Sequence, residues 1–370
     1  MRALALLLAL FAAGSAAAQG ESFEARLRAE VARDLARRHM NPEHVPAERI
    51  LAEAAKARDQ GIAEDSLLEG VPGLVDAAFF SFAPRGARHA SGTRYRLPFD
   101  PMVPRLLVQG VAGPYTHREE PSYYAFDFAI PPGGEILAAR AGVVARVIDG
   151  FDVPVAPSSR SPDDVEESNA VYVLHPDGTF AGYRHLRRGS AAREGQSVAT
   201  GTLLGWSGES GGASGPLLHF AVNRFDERGR RVSVPIRFGE DGSPGHVPQQ
   251  GRAYGHPPSP TVPLEVAFEG RPVSEQAALL LARGGRGHLS VALVRDGTRR
   301  DVSRDPATRY DSLTPWSVVV DSVGEVRMVP GPGYERSPDE SRDVGRIQVL
   351  YVDRTRGEIG RVVFDLRTGR

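Results

Sequence analysis

The order of apolar and polar positions changes twice along the chain. Over residues 21–75, apolar side chains recur every fourth position: Phe23, Leu27, Val31 and Leu35, with Arg, Glu and Asp between them. That spacing places one apolar stripe along a helix. Asn41-Pro42 interrupts it, and a second stripe follows through Ile50, Leu51, Ala54 and Ala55. The pattern predicts a short helical prefix packed on the next domain. It does not hold for enough heptads to predict a coiled coil.

From about Arg94 the period shortens to two. "YYAFDFAI" alternates, "AVYVL" alternates in part, and "AGVVARVI" reads as a buried strand. "HPDGTF" carries the Asp-Gly turn signal. Residues 151–168, "FDVPVAPSSRSPDDVEES", are polar and rich in Pro and Ser, which predicts an exposed loop. Gly and Pro concentrate again over 241–262, which reads as a linker. Strand-like runs such as "LEVAFEG", "LSVALVRDG" and "GRIQVLYVDRTRGEIGRVVFDL" then predict a β-sandwich-like domain over 263–370. The expected fold class is mainly β. An antiparallel sheet domain over 92–240 stands between the helical prefix and the C-terminal β domain.

Composition narrows the setting. A chain of 370 residues is long enough for two or three domains. It opens "MRALALLLALFAAGSAAAQG": an arginine, an apolar run too short to cross a bilayer, then small residues. This pattern predicts a leader over 1–18 and an exported, periplasmic or secreted bacterial protein. No later stretch is apolar enough to span a membrane. There is no cysteine, so no thiol nucleophile, no disulfide and no lipid-anchored N-terminus. Any metal must be held by His, Asp or Glu. The formal net charge of −1 argues against a nucleic-acid binder, which needs a basic field.

Among the ten histidines, His117, His185 and His219 stand in strand or turn contexts of the middle region. In "YYAFDFAI", Tyr124, Phe126, Phe128 and Ile130 point one way and Ala125, Asp127 and Ala129 the other. In "GPLLHFAV", Leu218, Phe220 and Val222 take the core side, and Leu217, His219 and Ala221 the opposite one. Two imidazoles and a carboxylate suit Zn²⁺, whose catalytic sites keep three protein ligands and one open position. His117, Asp127 and His219 could supply those ligands. His185 would then stand outside them, as a base or as a donor to a developing oxyanion. By spacing alone the same histidines also read as hydrogen-bonded structural residues, and Asp127 as a paired buried carboxylate.

Four stretches, taken together and in order, carry a resemblance. They are "YYAFDFAIPPGGEILAARAGVVARV", "NAVYVLHPDGTFAGYRHL", "REGQSVATGTLLGWSGESGGASGPLLHF" and "VPIRF". With them, the segment from about Tyr95 to Phe238 resembles the LytM/lysostaphin-type zinc metallopeptidases of peptidase family M23. The resemblance implies a small β-sheet fold with a cleft, and hydrolysis of peptide bonds, usually in the cross-links of bacterial peptidoglycan. The family's metal-binding His and Asp match His117 and Asp127, and the second His of its H-x-H pair matches His219. Its catalytic His in "Y-x-H-L" matches His185.

Two departures stand out. The first His usually lies four residues before the Asp, and here it lies ten before, so residues within "REEPSYYAF" must loop out. Leu217 occupies the place of the first His of H-x-H. That substitution opens an alternative: a catalytically degenerate module that binds peptidoglycan peptides or regulates another cell-wall hydrolase. Glu209, on the loop leading into the same strand, could swing in as a substitute base. His175 reads as a turn-stabilising residue, and His246 and His256 as linker residues unrelated to a metal.

Overall fold

The protein is described here by a computed structural model covering residues 22–38, 40, 42–45, 47–152, 168–213, 215–240, 243–273, 279–281, 285–314, 318–328 and 344–368. The expected leader at 1–18 and most of the Pro/Ser-rich segment at 151–168 lie outside the described residues.

The helical prefix forms α1 (Phe23–Arg37), α2 (Ala47–Asp59), α3 (Glu64–Glu69) and α4 (Val71–Phe79). The Ser22 hydroxyl caps α1 by accepting a hydrogen bond from the Ala25 amide at 3.2 Å. The apolar stripe read from the sequence, Phe23, Leu27, Val31 and Leu35, is buried. No helix among the described residues is long and apolar enough to cross a membrane.

The middle region is built from β1 (Arg105–Gln109), β2 (Phe126–Ala129), β3 (Glu135–Leu137), β4 (Gly142–Ile148), β5 (Ala170–Leu174), β6 (Phe180–Arg184), β7 (Ser197–Val198), β8 (Leu203–Trp206), β9 (Leu217–Phe225), β10 (Arg231–Ser233) and β11 (Ala253–Tyr254). Nine of these strands form one sheet in the order β11-β1-β2-β9-β6-β5-β4-β7, with β10 also on β9. Its pairings are antiparallel, which bears out the expected mainly β, antiparallel fold. β3 and β8 pair separately.

One face of the large sheet buries Phe126, Phe128, Leu218, Phe220, Val222 and Tyr183 in a single core. The other face is divided. At one end, Phe79 and Phe80 of the helical prefix pack on Tyr172, Phe180 and Phe225. A Cβ on Gly182 would meet the Tyr172 ring at 3.0 Å, so glycine lets that ring pack closely over β6. The far end of the same face carries the polar side chains described below.

This division changes two readings. β2 is buried on both sides although its sequence alternates, because the polar side is also covered. β4, expected to be a buried strand, is half-exposed: Val143 is 41% accessible. Its outer neighbour β7 pairs with only Gly142 and Val143.

The C-terminal residues form two further sheets. Val266, Phe268, Leu289 and Val291 of one share a core with Ile347, Val349, Tyr351 and Phe364 of the other, a sandwich arrangement. One of its pairings, Leu279–Leu281 with Leu366–Thr368, is parallel. This part docks on the middle region through the buried Arg105 guanidinium, which donates to the Ser312 carbonyl at 3.1 Å and to Asp311 at 3.3 Å.

Candidate metal centre

Cross-strand register builds a polar row on the divided face. Gln109 pairs with Asp127, Asp127 with His219, and His219 with Arg184. Residues opposite one another in a sheet project to the same side, so all four side chains share that face. His219 Nδ1 lies 2.8 Å from Asp127 Oδ1.

His117 reaches the row from a loop. Residues 110–125 leave β1 and return to β2 through a series of turns. The loop is pinned to β9 and β10: the Tyr124 amide donates to Ser233 Oγ at 3.0 Å, and Asn223 Nδ2 to the Pro121 carbonyl at 2.8 Å. Glu120 accepts from the Ser233 hydroxyl at 2.7 Å. The ten-residue separation therefore closes in space. His117 Nε2 stands 3.3 Å from Asp127 Oδ2 and 3.4 Å from His219 Nδ1.

Nearby groups orient these three side chains. His117 Nδ1–H donates to the Gly110 carbonyl at 2.8 Å, which leaves Nε2 as the lone-pair nitrogen facing Asp127. Gln109 uses its full hydrogen-bonding capacity. Its Nε2 donates to Asp127 Oδ2 and Thr116 Oγ1, each at 2.8 Å, and its Oε1 accepts from the Tyr115 and Thr116 amides. Flipping that amide would set an oxygen against a carboxylate, so its orientation is determined.

His117, Asp127 and His219 are each no more than 6% exposed. Burial pushes the Asp127 carboxyl up, and the two imidazoles beside it more than reverse this, holding it well below the usual carboxylate range. For His117, burial acts downward, but the Asp127 charge and hydrogen bond raise it overall. For His219, burial prevails and the pKa falls.

The three residues offer ligand atoms within 4.8 Å of one another. Tetrahedral zinc with ligands at about 2.0–2.1 Å sets its donor atoms about 3.3 Å apart. Two of the observed separations, 3.3 and 3.4 Å, match that spacing. The donor set fits a zinc site, with Gly110 and Gln109 as the outer groups that fix its ligands.

His185 follows β6 with a φ of 63°, a left-handed conformation uncommon for a side chain of this size. Its backbone is clamped, because the Gly208 amide donates to its carbonyl at 3.0 Å. Its Nδ1–H donates to the Ser210 carbonyl at 2.9 Å. Its ring centre lies 6.1 Å from that of His219. Burial, aided by the positive charge of Arg184, lowers its pKa to about 3, so Nε2 is an unprotonated acceptor at neutral pH.

Leu217 is buried, pairs with Ala129 and bridges Gly208. It lies on the His219 face, about 7 Å farther along the strand by the rise per residue. Glu209 is half-buried on the loop between the two residues that hold His185, and burial raises its carboxyl pKa. His175 belongs to the β5–β6 turn, where its Nδ1–H donates to the Ala141 carbonyl at 2.8 Å. Neither His246 nor His256 joins the metal group.

Gln109 was not singled out from the sequence. Its signal would have been a polar residue ending the alternately buried "RLLVQ".

Residues 122–233 match the model of peptidase family M23. The middle region thus resembles an M23 peptidase domain. Asp127, His185 and His219 lie within the matched segment, and His117 lies five residues ahead of it. Among solved structures, the middle region is similar to a zinc-containing peptidase from Vibrio cholerae. The identity is 23% over 39% of this chain and 40% of that one, with a TM-score of 0.28. It is also similar to a candidate M23 peptidase from Pseudomonas aeruginosa, at 26% identity over 37% and 53% of the two chains, TM-score 0.23. The catalytic domain of lysostaphin from Staphylococcus simulans is 20% identical over 40% and 84%, TM-score 0.22. The chain thus spans about two fifths and one half of the first two relatives' lengths.

Proposed function

We propose that this chain is an exported zinc endopeptidase that hydrolyses peptide cross-links of bacterial peptidoglycan. The observation that carries the reading is the convergence of His117 Nε2, Asp127 and His219 Nδ1 at zinc-like spacing, with His185 beside them. His117, Asp127 and His219 would hold the ion. Zinc bound there supplies Lewis acidity, lowering the pKa of a bound water to about 7 and polarising a carbonyl.

The remaining work falls to the chain's own groups. With its Nδ1–H committed to Ser210, His185 presents a lone pair at Nε2 and accepts a hydrogen bond from an attacking water. A pKa near 3 makes it a positioner of that water more than a strong base. This favours the acceptor role over donation to an oxyanion. Gln109 keeps the Asp127 carboxylate turned toward His117. Leu217 keeps a buried apolar side chain on the His219 side of β9 and so excludes water from that part of the site.

A second reading rests on Leu217 itself. A buried leucine where the family places an imidazole supports a domain that retains the metal site and binds peptidoglycan without cleaving it. One set of assays separates the two: bound zinc, and fragment release from purified sacculi, for wild type, His219→Ala and Leu217→His. One zinc per chain and fragments released by wild type, but not by His219→Ala, support the endopeptidase. Fragments from Leu217→His alone support the binding module. A wild type that binds no zinc refutes the proposal.

A further inference from the structure

A cleft of about 820 Å³ opens on the side of the sheet opposite the metal centre. His219 and Arg224 lie on the same strand, five residues apart, and so point to opposite faces about 16 Å apart along it. The cleft is held open by backbone pairing at both ends. The Gly86 amide donates to the Phe225 carbonyl at 3.0 Å, and the Tyr95 amide to the Arg237 carbonyl at 3.1 Å. Between these anchors, residues 87–93 bow away from the β9–β10 hairpin and the strand-like segment after it.

The lining combines Val234, Pro235 and Ile236 with five arginines. Arg230 is neutralised by Asp226 at 2.9 Å, and Arg88 stands 3.7 Å from Glu227. Arg224 and Arg228 pair with no carboxylate among the described residues. Arg237 donates to the Pro244 and Gly245 carbonyls, which orient its guanidinium without cancelling its charge. The walls therefore carry three positive charges in excess, in a chain whose net charge is −1.

We infer that this cleft binds a carboxylate-bearing peptide segment, apart from the metal centre. Guanidinium groups match carboxylates by paired N–H···O bonds, the exposed Pro235 offers apolar surface to aliphatic stems, and the volume suits a few residues. The inference does not depend on the peptidase reading, because no ligand of the proposed zinc lines the cleft.

The test is fluorescence anisotropy of a labelled hexaglutamate peptide titrated with the full chain at low salt. Saturable binding is expected. Arg224→Glu combined with Arg228→Glu should weaken it about tenfold or more, and Arg228→Glu alone, on an exposed turn, several-fold. The same charge change on a distant hairpin, Arg354→Glu with Arg356→Glu, should leave it unaltered. Overturning results are the absence of saturable binding, equal binding of hexaglutamine, no loss in Arg228→Glu, or equal loss in the distant pair.

Discussion

Replacing Gln109 with leucine tests whether the polar row works as a unit. Leucine keeps much of the volume but removes four hydrogen bonds: two donated, to Asp127 and Thr116, and two accepted, from the Tyr115 and Thr116 amides. The bond to the ionised Asp127 carries about 1.5–3 kcal/mol, and each neutral one about 0.5–1.5 kcal/mol. Losing the first frees the carboxylate to turn away from His117. Losing the others releases Tyr115 and Thr116, and His117 is the next residue along. Outer groups of this kind are worth about 10–100-fold in metal affinity. The expected result is therefore a zinc affinity lower by that factor, measured by competition with a chromophoric chelator on folded protein. A Thr116→Val variant, which removes only the hydroxyl acceptor, should lose less. If Gln109→Leu stays folded and its zinc affinity stays within about threefold of wild type, the positioning argument is wrong.

Leu217→His should raise fragment release from sacculi by about 10²–10⁴-fold if the missing imidazole limits turnover. An unchanged rate with full zinc occupancy would assign the limit elsewhere. Stability should fall with acid, because burial lowers the His175 pKa from 6.5 to about 4. Between those values the unfolded chain binds the extra proton, so stability rises with pH across the window and is lost as pH falls through it. The contribution is about 3 kcal/mol. Urea titrations at several pH values should show it reduced in His175→Gln. Phe80→Ala, at a side chain 2% exposed against Tyr172, Phe180 and Phe225, should cost about 3–5 kcal/mol. A single, shifted unfolding transition by circular dichroism would show that the helices and sheet melt together. Two separate transitions would contradict the shared core.

Legibility followed the range of the interaction. The stripe through Phe23, Leu27, Val31 and Leu35 depends on the helical period alone, and the structure buries it as read. The facing of Asp127 and His219 depends on the period of a strand and is likewise local. Val143 was misjudged because its exposure depends on what packs over its face of the sheet, which the apolar run "AGVVARVI" does not encode.

The amino-acid sequence by itself determined which side chains leave β2 and β9 on a common side, since alternation is a property of each strand's own backbone. It also carried the ordered motifs by which residues 122–233 match the model of peptidase family M23. Only the tertiary structure decided that Asp127 meets a histidine 92 residues away at 2.8 Å. It alone brought His117 in from a loop, gave Gln109 all its partners, and left arginines facing a cleft on the opposite face. These contacts join segments whose pairing register is chosen by the burial of the whole sheet, and no local period records that choice.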